Sequence, residues 1–199
     1  MALHLVLASG SEIRAQLLRQ AGLSPVIEKP RVDEVMVKEA LLAEGAPPRD
    51  IADALAELKA RKVSEKHPDA LVLGCDQVLD HQGQLLSKPA DADDAIKQLS
   101  QMRGGHHKLL SAAVLCQNGQ PIWRHVGIVR LHMRQLSNDY IADYVARNWD
   151  SIRHAVGCYK LEEEGVRLFT RIEGDYFTVL GLPLLELLNT LTLRGDIPS

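Results

Sequence analysis

The sequence predicts an α/β protein, and three observations predict it. Short apolar runs alternate with segments of helical period through the first half of the chain. Two long strand candidates follow, joined at Asn118-Gly119, a dipeptide that favours a tight antiparallel turn. No internal repeat, low-complexity segment or long linker divides the 199 residues, so they are read as one domain, 1–199, with ample capacity for a core.

The elements follow in order. "LHLVLA" at 3–8 is an opening strand. Ser9-Gly10-Ser11 breaks it and caps a helix over 12–21, with Gly22 in the stop position and Leu17, Leu18 and Ala21 as its buried stripe. "SPVIEKP" reads as a second strand between prolines, and "DEVMVKEALLAEG" as a short helix. Residues 51–66 repeat apolar side chains at helical period. "LVLG" at 71–74 is a buried strand, and "VLDHQGQLLSKP" is a hairpin turning at Gln82-Gly83. "DADDAIKQLSQM" is a helix with acids in its first turn, where the helix dipole favours them. "HKLLSAAVLCQ" and "PIWRHVGIVRLHMR" are the long strands, and "SNDYIADYVARNW" is an amphipathic helix capped by Ser137. Strands are expected near "AVGCYKL" and at "VRLFTRI", then a closing helix over 183–193.

Composition narrows the function classes. With 46% hydrophobic and 25% charged residues the chain is ordinary globular protein. A net charge of −3 and 4% aromatics argue against nucleic acid or an acidic membrane as partner. Cys75, Cys116 and Cys158 are odd in number and lack metal-ligand spacing, which points away from a disulfide framework or zinc knuckle and toward a reducing compartment. The N-terminus lacks the basic start of a signal peptide, and no apolar run approaches the roughly 18 residues of a bilayer span. A cytoplasmic location is expected.

Several residues carry potential chemistry. Arg14 lies at i−3, i−4 and i−7 from Leu17, Leu18 and Ala21, inside an apolar stripe and close to the helix start. Such an arginine either snorkels past the helix end or meets an anion. Ser9-Gly10-Ser11 beside it offers small side chains and backbone N–H groups at a helix N-terminus, an arrangement suited to phosphate. It is not a P-loop, since Gly-x-x-x-x-Gly-Lys is absent. Asp33-Glu34 and Asp76 each sit beside a strand candidate, and converging carboxylates would hold Mg²⁺ together with substrate phosphates. Lys59, at the edge of its helix's apolar stripe beside Ala52 and Ala56, and Lys88, before Pro89, would neutralise phosphoryl oxygens. Taken singly, each of these charges reads as a solvated surface residue; their interest lies in recurring together. The histidines show no metal-ligand spacing and read as structural or surface residues. No nucleophile elbow supports acyl transfer.

With those residues in view, the sequence resembles the Maf family of nucleoside triphosphate pyrophosphatases. "LASGSEIRAQLL" resembles the family's opening Leu-Ala-Ser-x-Ser-Pro-Arg-Arg-x-x-Leu-Leu. "VDE" at 32–34, "LAELKA" at 55–60, "GCDQV" at 74–78, "SKP" at 87–89, "RGGHHKLLSA" at 103–112 and "IEGDYFTVLGLPL" at 172–184 follow in family order. The resemblance implies a mixed twisted sheet flanked by helices, in an elongated two-lobed Maf/ITPase-like domain with a central cleft. It implies hydrolysis of a nucleoside triphosphate to monophosphate and pyrophosphate, dependent on a divalent cation, Mg²⁺ or Mn²⁺. By that resemblance Asp76 matches a general base or metal ligand, and Glu34, Lys59 and Lys88 the other charged catalytic residues. Asp76 and Glu34 would hold the metal, and Ser9, Ser11 and Arg14 match the phosphate-binding loop. Ile13, Gln77 and Glu162 occupy the positions that divide the family by specificity; Gln77 and Glu162 match the 7-methyl-GTP branch rather than the dTTP/UTP branch, and Ile13 matches neither. Glu12-Ile13 replaces the family's Pro-Arg. A homodimer is common in the family. Two other readings stay open at this point: a nucleotide-binding regulator of septum formation without turnover, and a phosphohydrolase that releases orthophosphate.

Overall fold

The computed structural model describes residues 3–198. Strand β1 (Leu5–Ala8) is wholly buried. It pairs in parallel with β2 (Val26–Ile27) on one side and β3 (Leu71–His81) on the other, in the register Leu5↔Leu71 to Ala8↔Gly74. A strand buried on both faces carries a continuous apolar run, and Leu5-Val6-Leu7 and Leu71-Val72-Leu73 do so. The parallel connections are made by helices α1 (Glu12–Gln20), α2 (Glu34–Ala43) and α3 (Pro48–Ser64). Among the described residues the strands form one mixed seven-stranded sheet, flanked by helices.

β3 pairs antiparallel with β4 (Gln84–Leu86), and β6 (Gln120–Met133) with β7 (Phe169–Glu173). β4 returns along β3 from Leu79↔Leu86 to His81↔Gln84. Gln82 and Gly83 both take positive φ, 55° and 86°, as a two-residue hairpin turn requires. Asn118 (52°) and Gly119 (73°) repeat that solution between β5 (His106–Gln117) and β6. The sheet order is β2-β1-β3-β5-β6-β7, with β4 on β3. Three helices are capped as their sequences suggest: Asp33 accepts from the Met36 N–H, Asp91 from Asp94 at the start of α4 (Ala92–Met102), and Ser137 from Tyr140 at the start of α5 (Asn138–Ile152).

Several expectations are corrected. The strand at 71–74 continues to His81, because its partner β4 extends the ladder. Ala15, not Ala21, completes the buried face of α1 with Leu17 and Leu18. Ser11 stands at the N-cap of α1, yet its hydroxyl makes no capping bond. "AVGCYKL" is not a strand: Val156–Cys158 is a single 3₁₀ turn, with Gly157 at φ 80° and Cys158 at 61°. Two consecutive left-handed residues bar extension. The strand in "VRLFTRI" begins only at Phe169, after a 3₁₀ turn over Glu164–Leu168. A short helix α6 (Tyr176–Val179), capped by Asp175, precedes the closing helix α7 (Leu184–Leu193).

The chain divides into two compact units that interleave in sequence. One takes in the chain up to Asp76, Ser111–Gly127 and the chain from Gly181 on; the other takes in Gln77–Leu110 and Ile128–Leu180. The first is cored by Val6, Ala8, Val63, Ala70 and Val72, among others. The second buries Leu79, Leu99, Met102, Leu109, Leu131 and Tyr144.

His107 in the second unit is a structural histidine. It is 1% exposed, its Nε2 lies 2.7 Å from Tyr159 Oη, and its Nδ1 is buried without a partner. Burial, helped by repulsion from His81, His106 and His132, pushes its pKa from 6.5 down to about 3. The unfolded chain therefore binds a proton below about pH 6.5 that the fold refuses, and stability is lost as pH falls from there toward 3, at about 1.4 kcal/mol per pH unit. Denaturant titrations at pH 7, 6 and 5 check this: His107→Gln is expected to flatten the decline, and an equally steep decline would assign it to other groups.

Candidate active site

The site begins where β1 ends. Ala8 is buried, Ser9 is 5% exposed, and the chain turns through Gly10 and Ser11 into α1. The Ser11 N–H donates to Ser9 Oγ at 3.2 Å. Arg14, one turn into α1, does not snorkel to solvent. Its Nε donates to the Gly181 carbonyl (2.8 Å), and Nη1 donates to Ser9 Oγ (3.1 Å) and the Cys75 carbonyl (3.1 Å). Gly181 makes that approach possible: its φ is +98°, and a Cβ there would stand 3.1 Å from Arg14 Nε. The arginine thus ties the serine loop to the middle of β3 and to the start of the C-terminal segment.

Two residues along from Gly74, β3 delivers Asp76, 6% exposed. Helix α3 lies on the same sheet face and buries Ile51, Ala52, Leu55, Ala56, Ala60 and Val63. Lys59 falls within this apolar face and is 6% exposed. Its Nζ donates to Asp76 Oδ1 at 2.7 Å and pairs with Glu34 Oε2 at 2.9 Å. Glu34, the first residue of α2, is exposed to solvent. One buried cation therefore bridges a buried and an exposed carboxylate. A charge removed from water is retained when it is paired in this way.

The electrostatics suit proton transfer. Burial holds the Asp76 carboxyl above its ordinary 3.8, against the attraction of Lys59 and Arg14 and with the Glu34 charge adding to the rise. A carboxylate lifted toward neutrality, within a cluster of cations, is the setting of a general base. Lys38, four residues after Glu34 on α2, also feels Asp76; burial lowers its pKa and the Asp76 charge opposes the fall. The sequence reading missed Lys38, although Glu34, Val37, Lys38 and Leu41 have the spacing of one helix face.

The other candidate residues are placed as follows. Ile13 is half-buried on α1, and Glu12 before it pairs with Arg19 at 2.8 Å. In the second unit, Gln77 Nε2 donates to the carbonyls of Thr178 (3.2 Å) and Val179 (3.0 Å). Lys88 is exposed two residues after β4. Glu162 is exposed in the turn before Glu164–Leu168, beside Glu163, which pairs with Lys160. A surface hollow of about 390 Å³ in this unit, lined by Arg134, Gln135, Leu136, Ser137, Tyr140 and Arg167, contains none of the candidate residues. Among the described residues no three His, Cys, Asp or Glu side chains gather into a metal cage.

Comparison with known proteins supplies the deciding observation: the Maf-like protein family matches residues 4–193. The chain belongs to the Maf-like family. It is 69% identical over 194 residues to a nucleoside triphosphate pyrophosphatase of Roseobacter denitrificans, covering 98% of each chain. It is 69% identical over 199 residues to a protein of that name from Ruegeria pomeroyi, covering 100% of each. It is also 45% identical over 188 residues to a 7-methyl-GTP pyrophosphatase of Brucella abortus, covering 94% of each. Among solved structures, a HAM1 protein from Coxiella burnetii shares the fold, with a TM-score of 0.51, 16% identity and coverage of 96% of this chain and 99% of that one. The Maf-like assignment and the α/β architecture thus agree with the motifs from which they were expected.

Proposed function

We propose that this Maf-like protein is a nucleoside triphosphate pyrophosphatase, cleaving between the α- and β-phosphates to release a nucleoside monophosphate and pyrophosphate. The observation that carries the reading is the Glu34–Lys59–Asp76 cluster, in a chain whose relatives at 69% identity bear that enzyme name.

Asp76 is the base that takes a proton from the attacking water. Lys59 holds its carboxylate in place and opposes the rise in pKa that burial imposes on it. Arg14 fixes Ser9, and with it the Ser9–Ser11 loop that would receive the phosphates. Lys59 meets the charge that grows on the pyrophosphate leaving group. Asp76 and Glu34 would hold a divalent ion. Two carboxylates without a third suit Mg²⁺ or Mn²⁺, which completes its shell with water and phosphate oxygens. Such an ion, when bound, polarises a phosphoryl oxygen and makes water a better nucleophile.

The preferred base is read as a 7-methylguanine-like purine. Glu162 is exposed and ionisable, and a carboxylate accepts from a guanine N1–H and amino group where an amide would not. Gln77 has its amide nitrogen pinned by two carbonyls, which fixes the side chain's orientation. The working compartment is read as the cytoplasm, in keeping with three free cysteines whose burial raises Cys75 and Cys116 to about 11 and Cys158 to about 12.

A substrate panel tests the reading. Purified protein with Mg²⁺ or Mn²⁺ is offered dTTP, UTP, CTP, GTP and 7-methyl-GTP, with products resolved by chromatography. Monophosphate plus pyrophosphate, fastest from 7-methyl-GTP, is expected. Preference for dTTP and UTP would move the specificity to the other branch. Orthophosphate as product, or tight binding without turnover, would overturn the enzyme class. Light scattering on the same preparation tests for the homodimer.

A further inference from the structure

The segment after β2 brings a cation to the serine loop. The Glu28 N–H donates to the Leu7 carbonyl at 3.0 Å, which carries the parallel register of Val6↔Val26 and Leu7↔Ile27 one residue past β2. Lys29 therefore runs alongside the Ser9-Gly10-Ser11 turn, and Pro30 after it favours an extended backbone there. The aliphatic stem of Lys29 lies over Gly10: a Cβ at Gly10 would stand 3.4 Å from Lys29 Cδ, 3.5 Å from Cγ and 3.7 Å from Cε. The ammonium, one bond beyond Cε, is thus held at the loop, and Lys29 is exposed, so a ligand can reach it from solvent.

Among the described residues no carboxylate forms an ion pair with Lys29. The acids of the flanking segments have other partners: Glu28 pairs with Lys66 and His67, each at 2.6 Å, Glu12 with Arg19 at 2.8 Å, and Glu34 with Lys59 at 2.9 Å. The loop's other cation is committed to the protein, since Arg14 spends Nε and Nη1 on Gly181, Ser9 and Cys75. Ser9 itself points to an anion. Its Oγ accepts from both Arg14 Nη1 and the Ser11 N–H, which fills its two lone pairs and leaves the O–H as a donor. That hydroxyl is 5% exposed, and a phosphate oxygen is the acceptor it lacks. A lysine ammonium on a flexible four-carbon stem suits the same oxygens as a movable point charge.

We propose that Lys29 is a substrate-binding residue of this site, its ammonium contacting the phosphate chain of the nucleotide on the Ser9–Ser11 loop. The proposal deepens the pyrophosphatase reading above and rests on it for the loop's ligand. Calorimetric titration of the full chain with inorganic pyrophosphate, at fixed Mg²⁺ and at two salt concentrations, tests it. Lys29→Met keeps a stem over Gly10 and removes only the charge. It is expected to weaken pyrophosphate binding about fivefold, the loss of one exposed charge contact, and to make the affinity less sensitive to salt. Lys29→Arg should recover most of the loss. Unchanged affinity in Lys29→Met overturns the proposal. So does an equal loss in Lys29→Met and Lys29→Arg, since Lys29 would then act by shape alone, and so does a wild-type protein that binds no pyrophosphate. A wild-type protein that cleaves no nucleotide, yet binds pyrophosphate through Lys29, refutes the hydrolase reading and upholds this one. Nucleotide cleavage with the same KM in wild type and Lys29→Met does the reverse.

Discussion

Replacing Asp76 by asparagine is expected to lower turnover by about 10³-fold, within the range for loss of a general base, while the protein stays folded. The amide keeps the shape of the carboxylate and still offers an oxygen to Lys59 Nζ, now 2.7 Å from Oδ1. What it loses is basicity. Stability should move little or in the opposite direction. Burial raises the folded pKa of Asp76 above its unfolded value, so the folded state binds more protons across that window. Its contribution to stability therefore falls as pH rises through the window, and ionised Asp76 is a net cost above it. Asparagine carries no such cost, and Lys59 retains Glu34 as a counter-charge. Rates of pyrophosphate release and melting temperatures at pH 8 check both halves. Near-full turnover would remove Asp76 from the base role. A large drop in melting temperature would mean that its charge holds the cluster together.

Gly74→Ala is expected to be the most damaging small substitution in the first unit. A Cβ at this position would collide with the Ala56 carbonyl oxygen and stand 2.6 Å from Ala60 N and 2.8 Å from Ala60 Cβ. Two of these atoms belong to the backbone of α3, so no side chain can turn aside to make room. Overpacking of this kind costs about 1–3 kcal/mol, and more where backbone must shift. A melting temperature lower by roughly 10 °C is the expected reading for a chain of this size. The damage should reach the chemistry. Lys59 lies on α3 between Ala56 and Ala60, and Asp76 lies two residues beyond Gly74, so pushing the helix off the strand pulls apart the 2.7 Å pair. An alanine variant with wild-type melting and turnover would show that α3 and β3 are not pressed together as described.

The parts of this protein that were legible in its sequence are those governed by near neighbours. Gln82-Gly83 and Asn118-Gly119 make hairpins because those residues tolerate the left-handed backbone the turn needs. Ser137 starts a helix because a short polar side chain reaches the N–H three residues on. Arg14 stood out because it interrupts an apolar helix stripe and Lys59 because it lies at the edge of one, and a charge so placed needs a partner or a route to water. Asp76 stood out because it follows a buried run. Family motifs then supplied the order of the site residues along the chain.

What sequence reading did not reach depends on distant atoms. The turn at Gly157-Cys158 reads as strand because nothing local marks two left-handed residues in "AVGCYKL". The acceptors that hold Arg14 are the main-chain carbonyls of Cys75 and Gly181, and a carbonyl is the same group in every residue. Lys38 hid in a helix with no fully buried residue, where only packing against α3 separates an inward lysine from an outward one. The sequence by itself determined most of the element types, the two hairpin turns, the Ser137 cap and the set of charged residues, since these follow from short-range sterics and hydrogen bonding. Only the tertiary structure decided that Glu34, Lys59 and Asp76 share one cluster of paired charges. Residues separated by 17 or more positions meet only when the helix packs on the sheet, with Gly74, Ala56 and Ala60 small enough to let it.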